Sequence, residues 1–128
     1  MPDAIYYTES GVTADGKIIT FARNSSLAEN RRYYYLIFDP ERREVLLQGS
    51  IPASFKRYLV SHPHPMGPEK RNYFAADGTL YAYDPAAKKV IRLFSHPSLE
   101  LSQDLYVAPD GYAYYLMNNT AIARVRVF

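Results

Sequence analysis

Two stretches of the chain repeat each other: Leu36-Ile37-Phe38-Asp39-Pro40-Glu41-Arg42-Arg43-Glu44-Val45-Leu46-Leu47 and Leu80-Tyr81-Ala82-Tyr83-Asp84-Pro85-Ala86-Ala87-Lys88-Lys89-Val90-Ile91-Arg92-Leu93. Asp84 follows Asp39 by 45 positions (84 − 39). In both stretches an apolar run leads into Asp-Pro, a turn-forming pair, and a second apolar run follows a short charged or small segment. Each stretch therefore predicts two antiparallel strands joined by a tight turn.

A second repeat flanks the first: Thr13-Ala14-Asp15-Gly16-Lys17-Ile18-Ile19-Thr20-Phe21 matches Ala108-Pro109-Asp110-Gly111-Tyr112-Ala113-Tyr114-Tyr115-Leu116. Here the offset is 95 positions (110 − 15), close to twice 45. Asp-Gly between alternating apolar runs is a strong hairpin signal. The same unit therefore occurs three times, and its middle copy is altered at the first turn.

Each copy is predicted to be a meander of antiparallel strands, and together they form one all-β domain with units at about 1–50, 51–97 and 98–128. The segment 25–31 is too short for a stable helix, and we expect a loop there. Eleven strands are expected; the twelfth, the outer strand of the third unit, is missing. They lie near 5–13, 17–23, 32–39, 44–49, 56–62, 71–76, 79–84, 89–95, 102–108, 112–117 and 120–127.

Four-stranded meanders of about 45 residues are typical of β-propeller blades. Two sequence motifs resemble those of the blades of TolB-like, gluconolactonase-like and oligogalacturonide-lyase-like propellers. The first is Asp15-Gly16-Lys17-Ile18-Ile19-Thr20-Phe21, and the motif that follows it in a blade is Leu80-Tyr81-Ala82-Tyr83-Asp84. The resemblance implies a partial β-propeller of about three blades, whereas those propellers close with about six to eight.

An open stack of blades leaves two sheet faces uncovered, and large uncovered apolar faces mark interfaces. We expect a non-catalytic binding or assembly module that completes its fold with other protein subunits or with itself, as a homodimer or larger ring. The strand 121–128 is an expected edge that another chain would cover. Eight residues are expected to pack between sheets in the assembled particle: Leu36, Phe38, Val45, Leu47, Leu80, Ala82, Val90 and Ile91.

Composition excludes several other classes. A formal net charge of +2 is far from the field that phosphate binding requires, so no nucleic-acid partner is expected. The chain has no cysteine, which rules out a disulfide scaffold. It shows no signal peptide and no apolar run long enough for a bilayer, so we expect a cytoplasmic protein, or an exported one if the chain is a piece of a longer precursor.

Three histidines carry the alternative hypothesis, a propeller enzyme acting on carbohydrate or a lactone. His62 and His64 flank Pro63, and His96 precedes Pro97. The resemblance to oligogalacturonide-lyase-like propellers implies a divalent metal held by these three side chains. The other interpretation is that they are loop histidines packed beside prolines, and the assembly module itself needs no cofactor. No nucleophile elbow and no calcium loop occurs in the sequence.

Tyrosine and arginine supply the candidate contact residues. The chain has 13 tyrosines and no tryptophan. A tyrosine ring packs on a ligand while its hydroxyl makes hydrogen bonds, and the last strand alternates arginines with apolar residues. We expect contacts with a ligand or partner at Tyr33, Tyr35, Tyr114, Arg124 and Arg126.

Overall fold

The computed structural model describes residues 5–24, 33–51, 59–62, 64–76, 78–96, 102–117 and 121–128. Within these ranges every regular element is a strand. None of the described segments is a helix long and apolar enough to cross a membrane. The strands are β1 (Ile5–Val12), β2 (Ile18–Asn24), β3 (Tyr33–Asp39), β4 (Glu44–Ile51), β5 (Leu59–Ser61), β6 (Asn72–Ala76), β7 (Thr79–Asp84), β8 (Lys89–Ser95), β9 (Ser102–Val107), β10 (Tyr112–Met117) and β11 (Ala121–Arg126).

The strands form three separate antiparallel sheets, each a meander in chain order. Sheet 1 contains β1 to β4, sheet 2 contains β5 to β8, and sheet 3 contains β9 to β11. All eleven strands lie where the sequence places them, with small differences at their ends. The prediction of an all-β chain of three meanders is confirmed.

Sheets 1 and 3 begin with the same turn, as the offset of 95 positions requires. In sheet 1 the Thr13 amide donates to the Lys17 carbonyl at 2.8 Å, and Gly16 donates to Thr13 at 3.1 Å. In sheet 3 the Ala108 amide donates to the Tyr112 carbonyl at 2.9 Å, and Gly111 donates to Ala108 at 3.1 Å. Both glycines have positive φ, 79° and 93°, which glycine adopts without steric cost.

The two Asp-Pro turns are also copies of each other. The Asp39 carboxylate accepts hydrogen bonds from the amides of Glu41 and Arg42. The Asp84 carboxylate accepts them from Ala86 and Ala87. These bonds lower the pKa of both carboxyl groups against the opposing effect of desolvation. The last turn residue in each case, Arg43 or Lys88, has positive φ.

The middle unit departs from the others at its first connection. Between β5 and β6 the chain forms an isolated bridge from Met66 to Arg71, and Arg71 lies between Glu69 at 3.0 Å and Asp84 at 3.2 Å. Its Asp-Gly pair falls between β6 and β7, where Gly78 has φ 82°. Asp77 and the expected loop over 25–31 lie outside the described residues.

Sheet 2 is covered on both faces. Its Phe74, Tyr81 and Tyr83 pack against sheet 1 in the first core cluster, which includes Ile19, Phe21 and Ile37. Successive strand residues point to opposite faces, so Tyr73, Ala75, Leu80 and Ala82 pack on the other side. They meet Leu105, Val107, Ala113 and Tyr115 of sheet 3 in the second cluster. Sheet 1 is also tied to sheet 2 by the Asn72 side-chain amide, which donates to the Val12 carbonyl at 2.8 Å.

In the described part of the chain, sheets 1 and 3 each pack against another sheet with one face only. The eight residues expected between sheets therefore differ in their surroundings. Leu80 and Ala82 are buried, and Leu47, Val90 and Ile91 pack against the two core clusters. Leu36, Phe38 and Val45 lie on the opposite face of sheet 1 from Ile37, and Val45 is 50% exposed. In the single chain these three residues are therefore not between sheets.

Candidate interaction faces

The outer face of sheet 3, the side turned away from sheet 2, carries an ordered array of tyrosine and arginine. Tyr114 of β10 lies opposite Tyr106 of β9 on one side and Arg124 of β11 on the other. Tyr112 lies opposite Arg126, two residues along the same face. The inward residues Ala113, Tyr115 and Val125 alternate with them and pack on sheet 2. The turn at Asp110-Gly111 sets this register because it pairs the strands from Tyr112 onward.

These side chains contact one another. The guanidinium carbon of Arg124 lies 4.2 Å from the centre of the Tyr112 ring, and that of Arg126 lies 5.5 Å from it. Both distances are within the range of cation–π attraction. The Tyr114 hydroxyl donates to the Asp110 carboxylate at 2.6 Å, and the Tyr112 amide donates to the same carboxylate at 3.0 Å.

Asp110 holds this array at one end electrostatically. Its hydrogen bonds from Tyr114 and Tyr112 and the nearby arginine charges lower the pKa of its carboxyl group. The Tyr114 hydroxyl, the Tyr112 ring and Asp110 raise the pKa of Arg124. A hydrogen bond and a cation–π contact therefore hold these side chains against one another.

The outer face of sheet 3 is rich in tyrosine and arginine. Tyrosine and arginine are enriched at the energetic centres of interfaces, where flat side chains bury much area at low entropic cost. Tyr106 is 57% exposed and Ile122, on the same strand face as Arg124, is 73% exposed. Of the five predicted contact residues, the structure brings together Tyr114, Arg124 and Arg126.

The other two predicted contact residues lie elsewhere. Tyr35 points toward sheet 2, where it packs against the first core cluster with its ring centre 6.5 Å from that of Phe74, and burial raises its pKa. A Cβ atom at Gly49 would overlap the Tyr35 ring, so the ring lies directly over the glycine of the neighbouring strand. Tyr33 is paired with Arg23 and Ile51, and its side chain lies outside the described part of the structure.

The outer face of sheet 1 is a second surface on which no other described sheet packs, and one of its rungs is apolar. One rung crosses all four strands: Val12 lies opposite Ile18, Ile18 opposite Phe38, and Phe38 opposite Val45. The next rung runs from Ser10 through Thr20 and Leu36 to Gln48. Val12 is 53% exposed at one edge strand and Val45 is 50% exposed at the other. The sequence reasoning did not find this rung, because its register depends on which strands pair.

The histidines occupy two different places. His62 follows β5 and His96 follows β8, which are opposite edges of the four-stranded sheet 2 and are about 14 Å apart at the usual strand spacing. Their strands run in opposite directions, so the two residues also lie at opposite ends. His64 stays near His62, with ring centres 6.2 Å apart. The structure does not bring the three together, and the described residues contain no cluster of three metal-ligating side chains.

His62 connects sheet 2 to sheet 3. It is buried, and its Nδ1 accepts a hydrogen bond from the Val107 amide on the free edge of β9 at 3.3 Å. Its ring also meets the edge of the Tyr106 ring at 5.4 Å. Because Nδ1 accepts, the proton of the neutral imidazole is on Nε2. Burial, with the neighbouring His64, lowers the pKa of His62.

This bond predicts a pH dependence of stability. The pKa of His62 is lowered on folding, so the unfolded chain binds the proton more tightly and the free energy of unfolding falls as pH drops below the unfolded value of about 6.5. We expect His62→Asn, whose Oδ1 takes the place of Nδ1, to remove that part of the slope between about pH 7.5 and pH 5. Urea unfolding at a series of pH values measures it.

The exposed His96 supplies the control, because His96→Asn leaves the Val107 bond in place and should keep the slope of the unsubstituted chain. Equal slopes for His62→Asn and the unsubstituted chain would show that protonation of His62 does not change the free energy of unfolding.

Neither a scan against protein-family models nor a search of the curated proteins found a match to this chain.

Proposed function

We propose that this chain is a non-catalytic assembly module, a partial β-propeller of about three blades that completes its fold with protein. The observation that carries the proposal is that the three sheets differ in how many of their faces are covered by another sheet. Sheet 2 is covered on both faces, whereas no other described sheet packs on the outer face of sheet 1 or of sheet 3, and both of these faces carry side chains suited to an interface. Stacked four-stranded meanders are the architecture of propeller blades, and a propeller ring requires every blade to pack against two neighbours.

The character of the two uncovered faces supports protein as the partner. The outer face of sheet 1 presents the rung Val12, Ile18, Phe38 and Val45, which gains free energy when water is removed from it. The outer face of sheet 3 presents tyrosine and arginine held by one another and by Asp110. The edge strand β11 alternates exposed Ile122, Arg124 and Arg126 with half-buried residues that pack inward, as the sequence predicts.

The oligomeric state in solution tests the proposal. Light scattering or native mass spectrometry of the purified chain at micromolar concentration is expected to give at least twice the mass of one chain. A chain that needs a different subunit should instead recover such a partner from its source in stoichiometric amount. A stable monomer that binds no protein and keeps its tyrosines accessible to solvent would overturn the proposed function.

A further inference from the structure

The internal repeat assigns each sheet a leading face and a trailing face. In the first junction, sheet 1 presents Ile19 and Ile37 to Tyr81 and Tyr83 of sheet 2. In the second junction, the opposite face of sheet 2 meets sheet 3. We define the trailing face as the one that sheet 1 turns to sheet 2, and the leading face as the one that sheet 2 turns to sheet 1. By the offsets of the repeat, the face that sheet 2 turns to sheet 3 is its trailing face, and the face that sheet 3 turns to sheet 2 is its leading face. Both junctions of the chain therefore pair a trailing face with a leading face.

The uncovered outer face of sheet 1 is a leading face. The offset of 45 positions matches Leu36 with Tyr81, Phe38 with Tyr83 and Val45 with Val90. Tyr81 and Tyr83 are buried against sheet 1, and Val90 packs on the same cluster. Leu36, Phe38 and Val45 therefore occupy positions that the preceding sheet covers when the unit stands second in the chain.

The uncovered outer face of sheet 3 is a trailing face. The offset of 95 positions matches Tyr114 with Ile19, and the turns that precede them have the same hydrogen bonds. Ile19 lies opposite Ile37 as Tyr114 lies opposite Arg124, so Arg124 stands where Ile37 stands in sheet 1. Ile19 and Ile37 are both buried against sheet 2. The two uncovered faces are thus the two halves of a junction that the chain already makes twice.

We infer that the partner is a second copy of this chain, and that the outer face of sheet 3 of one copy packs on the outer face of sheet 1 of the other. This inference rests on the proposed function and adds its partner and orientation. The contact is head to tail, so two copies related by a two-fold axis make it twice and close a ring of six sheets. Tyrosine and arginine then lie against Leu36 and Phe38, where both stack on apolar and aromatic surface.

The polarity of the junction agrees with an association between separate chains. Within the chain the corresponding position holds Ile37, and on the outer face of sheet 3 it holds Arg124. The charged, hydrogen-bonded outer face of sheet 3 can stay in contact with water before two copies meet. A face with the apolar residues of the internal junction would be less compatible with water.

Two double variants, each with two glutamates on one face, test the orientation. Val12→Glu with Val45→Glu places a carboxylate at both ends of the apolar rung of sheet 1, and both positions are exposed in the single chain. Tyr106→Glu with Arg124→Glu does the same to one rung of sheet 3. Ala86→Glu with Ala87→Glu, in the exposed turn of sheet 2, is the control. Far-UV circular dichroism verifies folding, and Val45→Glu or Tyr106→Glu alone replaces a double variant that fails to fold.

In a head-to-tail ring, either face variant alone blocks both junctions, because each junction uses both faces. Each is therefore expected to be monomeric, with an association at least about a hundredfold weaker, since a charge is buried without a partner. An equimolar mixture of the two leaves one junction intact and is expected to give a heterodimer in native mass spectrometry. The control variant is expected to assemble as the unsubstituted chain does.

The outcomes separate the two proposals. If the unsubstituted chain assembles but a face variant still forms dimers alone, or the mixture forms none, the head-to-tail pairing is overturned and the assembly function stands. If the unsubstituted chain forms no self-assembly and binds a different subunit instead, the second copy is overturned as the partner. If it is a monomer that binds no protein, the proposed function fails as well.

Discussion

Phe74→Ala is expected to lower the free energy of unfolding by about 3–5 kcal/mol. The Phe74 side chain is completely buried in the first core cluster, and its ring centre lies 4.7 Å from that of Phe21 and 5.3 Å from that of Tyr81. Removing a buried phenylalanine ring costs about 3–5 kcal/mol, which is a large part of the about 5–15 kcal/mol that stabilises a typical domain. Because Phe74 joins sheet 2 to sheet 1, the loss should separate those sheets rather than loosen one of them.

Urea unfolding followed by circular dichroism measures this effect. Leu46→Ala, at a position 45% exposed, is the control and should cost less than about 1 kcal/mol. Phe74→Leu should lie between the two, because it keeps part of the volume. If Phe74→Ala unfolded at the same urea concentration as Leu46→Ala, the packing of sheet 2 against sheet 1 would be refuted.

The second large effect is expected at Gly111, for which the repeat supplies a matched position at Gly16. Both glycines have positive φ, so alanine at either position carries a backbone cost of about 1–2 kcal/mol. At Gly16 a Cβ atom would meet nothing within 4 Å. At Gly111 it would overlap the carbonyl oxygen of Phe128, and the Gly111 carbonyl accepts the Val127 and Phe128 amides at 2.8 and 3.2 Å.

Gly111→Ala is therefore expected to destabilise the chain by about 1–3 kcal/mol more than Gly16→Ala, since those hydrogen bonds must break or shift. Urea unfolding gives the difference, and hydrogen exchange gives its location: the amides of Val127 and Phe128 should lose protection in Gly111→Ala and keep it in Gly16→Ala. Equal stabilities and equal protection in the two variants would contradict the placement of Phe128 against this turn.

The elements that sequence reasoning located are those that depend on near neighbours. A hairpin turn is decided by a few consecutive residues, so Asp15-Gly16, Asp39-Pro40 and Asp110-Gly111 locate strand ends without knowledge of the remaining chain. Alternation along β11 likewise separates Arg124 and Arg126 from the residues that pack inward. For this reason the three meanders, and the side of β11 that carries Arg124 and Arg126, could be predicted. That Tyr114, Arg124 and Arg126 contact a ligand or partner stays a prediction.

The sequence by itself determined eleven strands and their turns, because these depend on interactions between residues close along the chain. The threefold repeat was visible directly in the order of the residues. Only the tertiary structure decided which face of a strand is covered. In β3 both faces are apolar or aromatic, and the packing of sheet 2 selects Tyr35 and Ile37 while leaving Leu36 and Phe38 outside. It also separated His62 from His96 and placed His62 on the edge of β9, since these relations join residues far apart along the chain.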